Sequence, residues 1–137
     1  SIAKRKAQIA GLTIGFDLAM SGALPYEEAY FDRVLSSLFF HHLDMDDKER
    51  TASECFRVLR PGGEFHVADW GKPSGLAMRT LFYSIQMLDG FSNTQGNVDG
   101  RLPDIFFRAG FQDVAVRKSF DTIFGTMTLY SAKKPEM

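Results

Sequence analysis

The chain has 137 residues, of which 45% are hydrophobic and 24% are charged, values typical of one globular domain and not of a disordered protein. Lys and Arg total 16 and Asp and Glu total 17, so the net charge of -1 argues against nucleic acid or an anionic membrane as partners. Cys55 is the only cysteine, which excludes an intrachain disulfide and favours a reducing, cytoplasmic location. No apolar run approaches the roughly 20 residues of a membrane helix. We therefore expect a single domain over residues 1–137.

Helical and strand patterns alternate along the chain, which is typical of an α/β fold with a mostly parallel sheet. In chain order we expect a helix at 3–10, a strand at 12–16, a loop at 17–28, a strand at 31–37, a helix at 46–59, a strand at 64–70, a helix at 76–88, a polar segment at 90–100, a helix at 103–109 and strands at 112–119 and 125–133. The last two strands are too close in sequence for a parallel crossover, so they should form an antiparallel pair.

The helix at 46–59 has the clearest pattern. Asp46 is the expected N-cap, with Glu49 completing a capping box. Its buried stripe is expected to consist of apolar residues at helical spacing: Ala52, Cys55, Phe56 and Leu59. The Pro61-Gly62-Gly63 sequence should then end the helix and turn the chain into the next strand.

Several short motifs follow one another in a specific order along these elements. They are Leu24-Pro25-Tyr26, Phe31-Asp32-Arg33-Val34, Leu38-Phe39-Phe40-His41-His42-Leu43, Arg57-Val58-Leu59-Arg60-Pro61-Gly62-Gly63 and Ala109-Gly110-Phe111. In this order and spacing they resemble the C-terminal two-thirds of a class I S-adenosylmethionine-dependent methyltransferase of the small-molecule type. The resemblance implies a Rossmann-like methyltransferase sheet, mostly parallel with a C-terminal antiparallel strand pair. It also implies S-adenosylmethionine as the cofactor and methyl transfer to a small-molecule acceptor.

The sequence departs from the family at the N-terminal side of the fold. The family's first strand leads into a glycine-rich cofactor loop, and its second strand ends in an acid that binds the ribose hydroxyls. No Gly-x-Gly-x-Gly sequence occurs among the 137 residues, and the chain begins in what resembles the helix after the second strand. We therefore expect a partial domain that lacks the first two strands. We also expect this chain alone to bind the cofactor weakly or not at all and to be inactive.

The resemblance places cofactor contacts at two points of the chain. Met20 and Ser21 match the loop that faces the adenine, although Met20 stands where family members often carry an acid. Ser36, Ser37 and Leu38 match the end of the family's fourth strand, next to the methionine part of the cofactor. Ordinary loop packing and strand-end capping are the alternatives for these two sets.

Four further residues are candidates for the acceptor side of the site. His41 and His42 are candidate general bases, because a histidine pKa lies near neutrality; the alternative is that they only support the loop. As adjacent residues without suitably spaced Cys or acidic partners, they make a poor metal pair, so no metal site is expected. Asp69 and Trp70 end a strand on the ligand side of the sheet, and we expect them to contact the substrate.

Two functions and one assembly are compatible with these features. The first function is methyl transfer; the second is a non-catalytic, truncated domain that self-associates without binding the cofactor. A nucleotide-dependent dehydrogenase fits the closing strand pair less well. Without the family's first strand, the strand at 31–37 should become an apolar sheet edge that joins a second copy of the chain. The strand at 12–16 would then be repositioned or shared between chains.

Overall fold

A computed structural model of the chain describes residues 2–72, 75, 100–122 and 125–136. The helix expected at 76–88 lies outside these residues, and so does the polar segment expected at 90–100 except for Gly100. The described elements are α1 (Ile2–Ile9), β1 (Phe31–Ser37), a short 3-10 turn (Phe40–His42), α2 (Met45–Val58), β2 (Leu59–Trp70), α3 (Leu102–Arg108), β3 (Gln112–Thr122) and β4 (Gly125–Lys133).

The strands form one sheet in the order β1-β2-β4-β3. β1 runs parallel to β2, whereas β4 runs antiparallel to both β2 and β3. This arrangement confirms the mixed α/β fold with a closing antiparallel pair. It also confirms that, in the described part of the chain, β1 is an edge strand.

The hydrophobic core lies between one face of the sheet and helices α2 and α3. Aromatic rings dominate it, and Phe65 of β2 stacks on Phe111 with ring centroids 5.2 Å apart and meets Phe106 of α3 at 5.1 Å. The expected stripe of α2 faces this core, including Cys55. Burial raises the pKa of the Cys55 thiol to about 12, so this cysteine is a structural residue and not a nucleophile.

The prediction of a strand at 12–16 is wrong, because these residues adopt no regular structure. Leu12 and Ile14 are 59% and 51% exposed. An isolated strand leaves its N–H and C=O groups without partners, and no described strand lies beside this segment. The alternating pattern is present in the sequence, but the pairing that would stabilise a strand is not.

The boundaries of α2 and β2 also differ from expectation. Asp44, and not Asp46, caps α2, and its carboxylate accepts the Asp47 N–H at 2.8 Å. The helix ends at Val58 and β2 begins directly at Leu59, so the Pro61-Gly62-Gly63 sequence lies inside the strand.

The two glycines have separate structural reasons. Gly62 has a φ of +75°, a conformation that strongly favours glycine. A Cβ at Gly63 would lie 2.8 Å from the Arg60 carbonyl oxygen and 3.0 Å from that of Asp32. The turn expected between helix and strand is therefore an irregularity within β2, where the register with β1 shifts.

Within the described residues, none of the helices combines the length and the apolar character that a membrane span requires.

Candidate functional site

The candidate site lies where the parallel strands β1 and β2 end side by side. Ser37 pairs with Ala68 near the ends of these strands, and the Leu38 N–H donates to the Ala68 carbonyl at 2.8 Å. Leu38 has a φ of +51°, an uncommon conformation for a residue with a side chain. In open α/β sheets, ligands bind outside the carboxyl ends of parallel strands, and this edge is therefore the expected binding region.

The carboxylate of Asp69 is the centre of this edge. It is 0% exposed. Its Oδ2 accepts the N–H groups of Phe39 at 3.0 Å and Phe40 at 2.7 Å, and its Oδ1 lies 2.7 Å from Nδ1 of His41 and accepts the Trp70 N–H at 2.8 Å. An ionised carboxylate can only accept hydrogen bonds, so Nδ1 of His41 carries the hydrogen. In the neutral imidazole, Nε2 of His41 is then the nitrogen that carries the lone pair.

The expected acceptor-side residues are brought together around Asp69. His41 is 5% exposed, its ring centroid lies 3.8 Å from that of His42, and it meets Trp70 edge to face at 6.4 Å. His42 is exposed and Trp70 is half-buried. Direct contact between a substrate and Asp69 stays a prediction, since the bonds that the structure shows for its carboxylate lie within the chain.

Lys48 is a site residue that the sequence analysis missed. Its side chain is buried on α2, and Nζ donates to the Leu43 carbonyl at 2.6 Å. Burial lowers the pKa of Lys48, while the negative charges of Asp69 and Asp44 oppose that shift. The sequence feature that indicates its burial is its position four residues before Ala52, on the buried stripe of α2.

The loop with the expected adenine contacts packs against the middle of α2. Ser21 Oγ lies 2.8 Å from Thr51 Oγ1, and the Leu24 N–H donates to Glu54 Oε2 at 2.8 Å. Met20 is 77% exposed beside this anchored segment. The loop therefore has a fixed position although it contains no helix or extended strand.

A pair of charged residues on α2 fixes the same loop, and the sequence analysis missed this role as well. Arg57 donates to Glu54 Oε1 through Nε at 2.7 Å, and through its two Nη groups to the carbonyls of Tyr26 at 2.8 Å and Leu24 at 3.1 Å. The hydrogen bond from Arg57 is the main reason that the pKa of Glu54 is lowered. A glutamate and an arginine three positions apart on one helix predict an ion pair. They do not predict that the arginine also binds a backbone carbonyl 31 residues away, that of Tyr26.

The two sets of expected cofactor residues therefore belong to different parts of the fold. Met20 and Ser21 lie in the loop that α2 holds, while Ser36, Ser37 and Leu38 end β1. Their contacts with a cofactor stay predictions. Among the residues that the structure describes, no group of three or more His, Cys, Asp or Glu side chains is placed to hold a metal ion.

Comparisons with known proteins agree with this architecture. A family model described as a methyltransferase domain matches residues 1–67. A solved S-adenosylmethionine-dependent methyltransferase from Methanosarcina mazei aligns over 100% of this chain and 79% of its own, with a TM-score of 0.70 and 20% identity. The resemblance to class I S-adenosylmethionine-dependent methyltransferases is confirmed.

Two curated relatives show how much of a methyltransferase the chain spans. A demethylmenaquinone methyltransferase from Thermus thermophilus is 35% identical over 62% of this chain and 40% of its own length. A mitochondrial 2-methoxy-6-polyprenyl-1,4-benzoquinol methylase from Danio rerio is 31% identical over 64% of this chain and 27% of its own length. The chain thus spans less than half the length of these methyltransferases.

The contacts of Glu54 predict a pH-dependent contribution to stability. Replacing Glu54 with Gln removes the charge that holds Arg57 and should lower the free energy of unfolding at pH 7 by about 1 kcal/mol. Because the pKa of Glu54 is lowered in the fold, its contribution is complete above its unfolded pKa of about 4.3 and is lost as the pH falls through the folded value. Urea unfolding should therefore show a difference from the unsubstituted chain at pH 7 that shrinks towards pH ~3.

Glu49→Gln is the matched control for this experiment. Glu49 lies on the same helix, and its pair with Arg108 is exposed and long, at 3.4 Å. The control should change stability little at either pH. An effect of Glu54→Gln that is equal at both pH values, or no larger than that of Glu49→Gln, contradicts the assigned role.

Proposed function

We propose that this chain forms the acceptor side and part of the cofactor side of a methyltransferase that acts on a small molecule. The observation that carries the proposal is the buried His41–Asp69 pair at the common edge of β1 and β2. The two curated relatives are named for methylation of demethylmenaquinone and of a benzoquinol. We therefore propose a dihydroxylated aromatic ring as the acceptor.

The residues at the strand ends have chemistry that suits the cofactor. Ser36, Ser37 and Leu38 offer hydroxyl and backbone groups for the charged methionine part, and Ser21 offers a backbone N–H for the adenine. Exposed Met20 provides a polarizable surface for the same ring. S-adenosylmethionine, when bound, supplies an electrophilic methyl group. The residues present fit the cofactor only in part, since the sequence contains neither the family's glycine-rich loop nor the acidic residue that binds the ribose hydroxyls.

His41 is the proposed general base. Its Nε2 accepts a proton from a hydroxyl of the acceptor, which increases the electron density on the neighbouring ring carbon. Asp69, whose carboxylate is buried, keeps Nδ1 protonated and stabilises the imidazolium that results. That carbon would take the methyl group, with S-adenosylhomocysteine as the leaving product. Loss of the ring proton to solvent and return of the hydroxyl proton from His41 would then restore the aromatic ring and the neutral base.

The neighbours of His41 provide a surface for an aromatic acceptor. Trp70 presents a flat apolar face next to the His41 ring, and exposed His42 would line the entrance as the second candidate base. The buried charge of Lys48 favours a negatively charged acceptor nearby. A cytoplasmic location belongs to the same proposal and depends only on the single cysteine.

The non-catalytic domain is the alternative function, and the methyltransferase names of the matched proteins favour the enzyme. A titration with S-adenosylhomocysteine separates the two. We expect amide shifts in the NMR spectrum confined to residues 20–21 and 36–38, with a dissociation constant above about 10 μM because many polar ligand atoms lack partners in this chain. No shift at ~5 mM ligand contradicts cofactor binding, and a constant below about 10 μM contradicts the partial site.

Trp70 is the only tryptophan and allows a direct test of the acceptor site. We expect 1,4-dihydroxynaphthalene to quench Trp70 fluorescence, because a ring bound next to His41 contacts the indole. In His41→Asn, the amide still donates to Asp69 but the acceptor nitrogen is lost. Loss of one hydrogen bond should weaken binding about 5-fold.

His66→Asn is the control, because His66 lies on β2 away from this edge and pairs with Glu64. It should leave the quenching unchanged. An unquenched Trp70, or equal binding by the His41→Asn and His66→Asn chains, contradicts the proposed acceptor site.

A further inference from the structure

We propose that Lys48 is a positioning residue for His41: its ammonium group holds the turn that carries His41 and balances the negative charge of Asp69. With that balance, His41 stays uncharged and able to accept a proton near pH 7. The inference rests on the proposed function, because it concerns the state of the proposed base. It adds a residue that acts through His41 and does not itself contact the acceptor.

Lys48 is bound to the end of the turn that carries His41. The short 3-10 turn Phe40–His42 ends at Leu43, whose N–H donates to the carbonyl of the first residue of the turn. The Leu43 carbonyl in turn accepts Nζ of Lys48 at 2.6 Å. Lys48 is 1% exposed, so its side chain is fixed by packing as well as by this bond. The first turns of α2 therefore determine where the turn with His41 lies.

The Asp69 carboxylate requires a positive charge nearby. Nδ1 of His41 lies 2.7 Å from its Oδ1, so Asp69 alone would favour a protonated imidazolium at this position. An imidazolium has no lone pair with which to accept the proton of an acceptor hydroxyl. A second cation close to Asp69 opposes this preference, and Lys48 supplies that cation from α2.

The surroundings of Lys48 favour its charged form. Burial lowers the pKa of Lys48, and the carboxylates of Asp69 and Asp44 oppose that shift. The bond to the Leu43 carbonyl acts in the same direction as the two carboxylates, because a charged donor forms a stronger hydrogen bond than a neutral one. Lys48 is thus an ammonium group whose charge is directed at the carboxylate that holds His41.

The other titratable groups around this pair do not supply the charge. The ring of His42, 3.8 Å from that of His41, is exposed, so solvent screens any charge that it carries. Burial, with a smaller contribution from Asp69, raises the pKa of Tyr130 on β4 to about 12, so its hydroxyl remains neutral. Asp44, at the start of α2, is itself an anion. None of these three groups provides a permanent positive charge, whereas Lys48 does.

A pH titration of the His41 ring, followed by NMR on the full 137-residue chain, tests this role. In Lys48→Met, which keeps a side chain of similar volume, the midpoint of the His41 titration should rise by about one pH unit. Loss of one nearby charge changes the protonation equilibrium roughly 10-fold. Lys48→Gln, a neutral side chain that can still donate a hydrogen bond, should show the same rise. Lys48→Arg keeps the charge and should give the midpoint of the unsubstituted chain.

Lys134→Met is the matched control. Lys134 is also buried, and its Nζ donates to the carbonyls of Phe56 and Leu59, both at 2.8 Å, at the opposite end of α2. This variant removes an equivalent buried ammonium group, with the loss of stability that follows, but it leaves the surroundings of Asp69 intact. The midpoint of the His41 titration should therefore not change.

A His41 midpoint that does not rise in the neutral variants of Lys48, that rises equally in Lys134→Met, or that Lys48→Arg fails to restore overturns the proposal. If neither neutral variant folds, the carbon-13 shift of Lys48 Cε in the unsubstituted chain decides, because an ammonium group at pH 7 supports the proposal and a neutral amine overturns it. No acceptor is used in these measurements. The inference can therefore fail while quenching of Trp70 supports the acceptor site, and the reverse.

Discussion

The hydrogen bonding of the Asp69 carboxylate is the interaction on which the site depends. A buried carboxylate without partners would cost several kcal/mol, so its position requires donors from several elements. The donors include the backbone after β1, the ring of His41 and the N–H of Trp70. One side chain at the end of β2 thereby fixes the turn that follows β1, including the uncommon backbone conformation of Leu38. The candidate base and the expected contact to the methionine part of the cofactor are therefore positioned together.

Helix α2 positions the loop that carries the other candidate residues, Met20 and Ser21. Its apolar stripe packs on the sheet, while Glu54 and Arg57 hold the backbone of the preceding loop. The same helix brings the positive charge of Lys48 towards Asp69. Packing and positioning are thus coupled, because a shift of α2 would move both the loop at Met20 and Ser21 and the turn at Phe40–His42. This coupling explains why a loop without regular structure is held against α2.

Local sequence patterns were sufficient to predict the elements whose stabilising contacts lie close together in the sequence. The stripe through Ala52 and Cys55 predicted α2, and the short connection between β3 and β4 required an antiparallel pair. The prediction of a strand at 12–16 was wrong because a strand forms only beside a neighbouring strand, which a local sequence pattern cannot reveal. Asp44 was missed as the cap because Asp46 has the same chemistry two residues later, and only the backbone geometry distinguishes them.

The candidate site was predictable in position but not in its contacts. The end of a strand placed Asp69 and Trp70 on the ligand side, His41 was a candidate through its chemistry alone, and the structure brings the three together. Their hydrogen bonds join residues 28 positions apart, such as His41 to Asp69. The roles of Lys48 and Glu54 likewise depend on tertiary packing. A buried lysine and an ion pair that binds backbone carbonyls have the same sequence pattern as an ordinary solvated helix face.

The tautomer of His41 tests the central role of Asp69 most directly. Nitrogen-15 NMR of the imidazole should show the hydrogen on Nδ1 in the unsubstituted chain, because the Asp69 carboxylate can only accept. In Asp69→Asn, the amide can donate to Nδ1, and the hydrogen should move to Nε2. Asp44→Asn, which keeps a good helix cap, should leave the tautomer unchanged. A His41 that carries its hydrogen on Nε2 in the unsubstituted chain, or that is unaffected by Asp69→Asn, contradicts the account.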